Sequence, residues 1–294
     1  MRIFQVDAFT RTRFTGNPAI VVLDADGRSD ALLMSIAREF AHAEVAFVTA
    51  ANAADHDLRL RFFNARKEAP FVGHATIAAH AVLLAVGRRG AGVCRQHSGT
   101  GIVEVRVQDS GAGLVEFRQT APAIEAPLPL KTTLRVAEAL RLPATQLHEF
   151  MPARVGRKGS ARLLVPVGDA RALDSLMPNL ETLISLGNEL KVDGFFVFSV
   201  ERGTERMTTA SRMFCPSLGI PEDPVSGNAH AMLAGYLWEY GQFTNGSPAF
   251  IGYQGRQINR PGEVAVSLEI DRAAFIAARI GGNAVIVSEG TLAL

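Results

Sequence analysis

Cysteine is nearly absent: the 294-residue chain holds two, Cys94 and Cys215. They lack the close spacing of a zinc site or a thiol–disulfide motif and read as buried free thiols. No charge of one sign dominates. Lys and Arg number 30 against 29 Asp and Glu, a formal net charge of +1 with no long basic block, which gives a nucleic-acid surface no support. The short cluster Arg154-Val155-Gly156-Arg157-Lys158 reads as a solvated loop. Apolar runs stop short of a membrane span; residues 77–86 contain His80 and end at Gly87-Arg88-Arg89. Residues 1–7 read as an immediate strand rather than as a signal peptide, so the protein is expected in the cytoplasm.

Several catalytic signatures are missing as well. Gly-x-Gly-x-x-Gly, the phosphate loop ending in Gly-Lys-Ser, His-Glu-x-x-His and the Gly-x-Ser-x-Gly elbow do not occur. Asp55-His56-Asp57 lies in a polar stretch and is expected to face solvent rather than hold a metal. Neither a cofactor nor a metal is expected. What remains is a chain that is 48% apolar and 20% charged, enough for two packed cores.

A glycine-led turn occurs twice, as Pro70-Phe71-Val72-Gly73-His74-Ala75 and as Pro224-Val225-Ser226-Gly227-Asn228-Ala229. Each opens an alanine-rich apolar stretch. Aligning Gly73 with Gly227 also matches Pro70 with Pro224, Leu83 with Leu237 and Gly87 with Gly241, so the chain reads as a duplicated unit. Free N–H groups at a helix N-terminus favour an anion, and glycine lets a ligand approach the main chain. Two such termini facing each other would clamp a small anionic molecule.

The halves are expected over 1–120 and 130–280. A linker is expected at about 121–129, where Pro122, Pro127 and Pro129 cluster. Period-two runs predict strands over 2–9, 19–23, 45–49, 58–63, 102–107 and 114–117, then over 162–167 and 194–200. Helical patterns fall at 30–41, 76–86, 133–140 and 180–190.

Three side chains stand out for proton chemistry. Glu44 sits where a helix gives way to the apolar strand Val45-Ala46-Phe47, and burial there would raise its pKa toward neutrality, as a general base requires. Taken alone, it also fits a surface acid at a helix–strand junction. His74 is the first side chain after the first glycine, where a helix terminus favours the neutral ring. Asp223 precedes the second helix and also fits a cap or dipole partner. His80 and His230 fall on helix bodies and read as packed residues without a role.

At these residues the chain resembles the PhzF-like family, the phenazine-biosynthesis isomerase and its relatives. The likeness runs through Val6-Asp7-Ala8-Phe9, Phe14-Thr15-Gly16-Asn17-Pro18, Ala43-Glu44-Val45-Ala46-Phe47, the first glycine turn, Arg212-Met213-Phe214-Cys215-Pro216 and Glu222-Asp223-Pro224-Val225-Ser226-Gly227. It implies an α+β fold of two pseudo-symmetric diaminopimelate-epimerase-like domains. Each would be a curled, mostly antiparallel sheet around a central helix, with the active site in the cleft between them. A last strand within 281–294 would return to the first half.

The resemblance also implies a cofactor-independent isomerase, with Glu44 moving a proton and His74 and Asp223 binding substrate and relaying protons. Gly73 and Gly227 would offer N–H groups to a carboxylate, with Asn17, Ser226 and Asn228 among the substrate-binding residues. A homodimer is expected, with neither nucleic acid nor membrane as partner.

Two departures matter. Asn228 stands where the phenazine enzyme has serine, and it can donate and accept but is longer. Val72 and Ser226 stand where two-thiol epimerases of this fold carry cysteine, which argues against stereoinversion by a cysteine pair. A non-catalytic acid-binding protein and a carboxylate-based epimerase or racemase are the alternatives.

Overall fold

The computed structural model describes residues 1–40, 44–109, 113–203, 207–243 and 248–293. It divides into two compact units, Met1–Gln119 with Ile280–Leu294 and Thr120–Arg279. In chain order the first stretch holds β1 (Arg2–Ala8), β2 (Asn17–Val22), α1 (Asp30–Glu39), β3 (Glu44–Ala50), β4 (Leu58–Phe63), β5 (Glu68–Ala69), α2 (Gly73–Ala85), β6 (Gly92–Ser98), β7 (Gly101–Gln108) and β8 (Leu114–Thr120). Next come β9 (Ala123–Pro127), α3 (Leu130–Ala139), β10 (Arg154–Lys158), β11 (Ser160–Pro166), α4 (Ala170–Asp174), α5 (Leu180–Leu190), β12 (Gly194–Arg202) and β13 (Met207–Cys215). β14 (Ile220–Asp223), α6 (Gly227–Glu239), β15 (Ala249–Gln254), β16 (Gly262–Asp271), β17 (Ala274–Gly282) and β18 (Ala284–Thr291) complete the order.

In the first unit, β1 lies antiparallel between β2 and β18. β2 and β3 run parallel with Ala19 opposite Glu44, and α1 makes the crossover that parallel pairing demands. β4 and β6 are parallel too, and their crossover is α2. Side chains alternate across this sheet, so each face has its own helix. Phe4, Val6, Ala19, Val21, Leu60 and Phe62 pack on Ala75, Ala78, Ala79 and Val82 of α2. Ile20, Val22, Val45, Phe47 and Phe63 pack instead on Leu33, Ile36 and Ala37 of α1. A helix apolar all round must be buried all round, and α2, without Asp, Glu, Lys or Arg, is the central one.

The second unit repeats the scheme. β11 and β12 are parallel across α4 and α5, and β13 and β15 are parallel across α6. Leu163, Val165, Phe195 and Val197 face a core with Val136 of α3 and Leu183 and Leu186 of α5. On the other face Phe196 meets His230 of α6 edge-on at 5.2 Å, and Phe198 meets Tyr236 at 5.5 Å. Each unit is thus a mostly antiparallel sheet around a central helix, the α+β fold the resemblance implies.

Two sequence expectations give way. The proline-rich stretch 121–129 is not a plain linker: residues 123–127 form β9, antiparallel to β10. Pro122 and Ile124 lie against Gly235 of α6, and prolines are tolerated because they flank or end the strand. The basic cluster 154–158 is β10 itself, paired with β9 and β11, not a solvated loop. Its inward positions are only Val155 and Gly156, the latter backed by Met232 of α6, so the run looks polar. Two of its three cations are in ion pairs: Arg154 lies 2.6 Å from Glu239, and Arg157 meets Glu125.

Candidate active site

α2 begins at Gly73 after the extended residue Val72, which offers no capping side chain. A Cβ at Gly73 would fall 2.9 Å from the Phe117 ring, so glycine also makes room for the aromatic cluster Phe62, Phe71 and Phe117. His74 follows on the first turn. Its Nε2 lies 3.3 Å from Oε2 of Glu44, the first residue of β3, with side chains 13% and 27% exposed. The sequence pair farthest from obvious is therefore brought together inside one unit. Ala43, which precedes Glu44 in its motif, lies outside the described residues.

Burial pushes the Glu44 carboxyl up, but the hydrogen bond from His74 and the charge of that ring outweigh it. The net direction is downward from 4.5, opposite to the rise expected from burial alone. The linkage sign follows. A carboxyl depressed in the folded state contributes stability above its unfolded pKa and loses it as pH falls through the folded one. Wild type and Glu44→Gln are therefore expected to converge in thermal stability as pH falls below 4.5 and to differ above it, read by calorimetry.

Asn17, 5% exposed, opens β2 directly opposite Ala8. The loop before it is tightly built. Gly16 has φ +65, and a Cβ there would sit 2.2 Å from the Ala8 carbonyl oxygen. Buried Asp7 accepts the Phe14 N–H at 2.6 Å. Asp7 carries part of the family motif, yet nothing in its spacing marks it as the anchor of this loop.

In the second unit the cap of α6 is Ser226, whose hydroxyl accepts the Ala229 N–H at 3.4 Å. Asp223 is therefore not the N-cap. It ends β14, across from Met213, and its carbonyl accepts from Gln254 at 2.7 Å. Glu222 beside it forms a bidentate pair with Arg212, at 3.0 and 2.7 Å. Gly227 is the first residue of α6. The Asn228 amide donates to Ser160 Oγ at 2.7 Å and to the Lys158 carbonyl at 3.4 Å, so its nitrogen is tied to the β10–β11 hairpin.

The remaining titratable candidates fall away. His80 and His230 are buried, and burial drives both rings down to about 4, leaving them neutral. Burial pushes the Cys94 thiol up to about 11 and the Cys215 thiol up to about 12, so neither forms a thiolate at neutral pH. His56 is not solvent-facing as expected but buried, its ring tilted against that of His97 at 5.0 Å and held by Asp55 at 2.6 Å. Among the described residues no group of three or more His, Cys, Asp and Glu is arranged to hold a metal ion, and no helix is long and apolar enough to cross a membrane.

The sequence profile of the family described as phenazine biosynthesis-like protein, PhzC-PhzF, matches residues 6–290. The chain belongs to that family. Among its curated relatives is the uncharacterized isomerase YddE of Escherichia coli, 34% identical over 291 residues, with 97% of this chain and 96% of the relative covered. Among solved structures, the Bacillus anthracis phenazine biosynthesis protein of the PhzF family is 27% identical, with a TM-score of 0.88 over 100% of this chain and 99% of that one. A hydroxyproline epimerase from Agrobacterium vitis is 12% identical, with a TM-score of 0.62 over 99% of this chain and 91% of that one, and shares the fold alone. This PhzF-like chain is an isomerase-type enzyme.

Proposed function

We propose that this PhzF-like protein moves a proton between carbons of a small carboxylic acid, amino-acid-like or a cyclic dienoic acid, without a cofactor. The observation that carries the reading is the 3.3 Å pair of Glu44 and His74 at the start of a buried helix. The Glu44 carboxylate takes the C–H proton, the electron pair passes into the acid's conjugated system, and the proton returns to a different carbon. Deprotonating carbon is costly, so charge on the substrate needs stabilisation from prearranged donors. His74 and the N–H groups at Gly73 supply it in the first unit. Asp223 orients a hydroxyl or amino group, and the α6 terminus at Gly227 and Asn228, with Ser226 and Asn17, binds the acid. The same reading includes a homodimer acting in the cytoplasm.

A panel of such acids incubated with the protein in deuterated water is expected to yield a constitutional isomer carrying deuterium, read by mass spectrometry. Loss of optical rotation without change of constitution would instead support the epimerase reading. Tight binding with no label in any acid would leave a binding protein.

A further inference from the structure

The second glycine turn is held by one side chain that the chemistry above does not use. Gln254 ends β15 with its carboxamide buried, 3% exposed. Its Oε1 accepts the Ser226 N–H at 3.1 Å, and its Nε2 donates to the Asp223 carbonyl at 2.7 Å. A single rigid amide plane thereby spans Pro224 and Val225, joining Asp223 to the cap of α6. The next residue brings the strand close enough to do this. Gly255 has φ +85, and a Cβ on it would fall 2.7 Å from the Pro224 carbonyl oxygen and 2.2 Å from that of Arg260.

Ser226 is fastened on its other side as well, since its carbonyl accepts from His230 Nδ1 at 2.8 Å. The first turn is built differently. Val72 has no capping side chain, and Gly99 brings backbone against Pro70, where a Cβ would fall 2.7 Å from the proline Cα. In the second turn a carboxamide reaches both sides of the link.

We propose that Gln254 is the positioning residue of the second glycine turn, fixing the Asp223 carboxylate relative to the first N–H groups of α6. The inference rests on the reading of Asp223 as the group that orients substrate. A displacement of about 1 Å in such a group costs on the order of 100-fold in rate, although the fold tolerates it.

The test uses the full chain with Gln254→Leu, Gln254→Glu and Ser211→Ala. Leucine removes both hydrogen bonds, while glutamate keeps the acceptor for Ser226 and loses the donor to Asp223. Ser211 donates to the carbonyl of neighbouring Tyr253 at 3.3 Å and controls for damage to the sheet. With the acid that the parent labels fastest, Gln254→Leu is expected to lower kcat about 10- to 100-fold with KM held within about threefold. Gln254→Glu should fall between, and Ser211→Ala should stay near the parent.

Exchange of the Ser226 amide, followed by NMR, is expected to rise more than about tenfold in Gln254→Leu and to stay parent-like in Gln254→Glu. Unchanged kcat in Gln254→Leu overturns the proposal, as does an equal loss in Ser211→Ala. If the parent labels no acid, the isomerase reading falls by itself. The Ser226 amide then decides, and parent-like protection in Gln254→Leu overturns the positioning role.

Discussion

Glu44→Gln is expected to lower deuterium incorporation about 100- to 10,000-fold, the usual contribution of a positioned acid–base group. Glutamine keeps the shape of the side chain and a polar contact to His74, 3.3 Å away in the parent, but its carboxamide cannot take up the substrate proton at neutral pH as a carboxylate does. The loss should appear in kcat and kcat/KM together, because the proton moves only in the transition state. Circular dichroism of the variant should match the parent, since Glu44 is the edge residue of β3 and lies outside the apolar clusters. A variant that labels its substrate as fast as the parent would show that another group is the base.

Arg212→Met is expected to have the largest effect on stability, about 3–5 kcal/mol lost, because it strands a carboxylate. Arg212 and Glu222 have side chains only 9% and 10% exposed. The same guanidinium donates to the carbonyls of Leu173 and Leu176 at 2.9 and 3.0 Å, closing the end of α4. Calorimetry should show the transition lowered by roughly 6–20 °C, at about 2–4 °C per kcal/mol for a unit of this size. Removing the stranded charge as well, in Arg212→Met with Glu222→Gln, should recover part of the loss, because the two sites are coupled. A single variant within about 1 kcal/mol of the parent would mean the pair is not structurally required.

The scaffold was legible where pattern and burial agree. Alternation in Leu58–Phe63 and the run of α2 without Asp, Glu, Lys or Arg state their own environments, and the duplicated glycine turn marks both central helices. Failures came where burial is carried by few residues. β10 hides behind three cations because its only buried residues are one valine and one glycine, on opposite faces, and β9 hides behind prolines that stand at its ends. β16 is absent from the strands expected above although its signal is present: Val264, Val266, Leu268 and Ile270 alternate after the turn pair Pro261-Gly262.

At the site, Glu44 and His74 each stand out in the sequence, but their pairing depends on β3 and α2 meeting through the fold. The direction of the Glu44 shift inverted for that reason: one neighbouring ring outweighs burial. Gln254 left no trace in the sequence, since a lone glutamine at a strand end has nothing periodic about it.

The pairing of β1 with β18 has a consequence for synthesis. Arg2 lies opposite Thr291 and Ala8 opposite Ala284 in one ladder. A ribosome makes β1 before Thr120–Arg279 and cannot supply its second neighbour, β18, until the whole of that segment has been made. At about 5–20 residues per second, that strand waits tens of seconds with one side of its backbone unpaired. The usual order of completion is reversed: Thr120–Arg279, made second, can finish folding first, and the unit that holds β1 closes only after it.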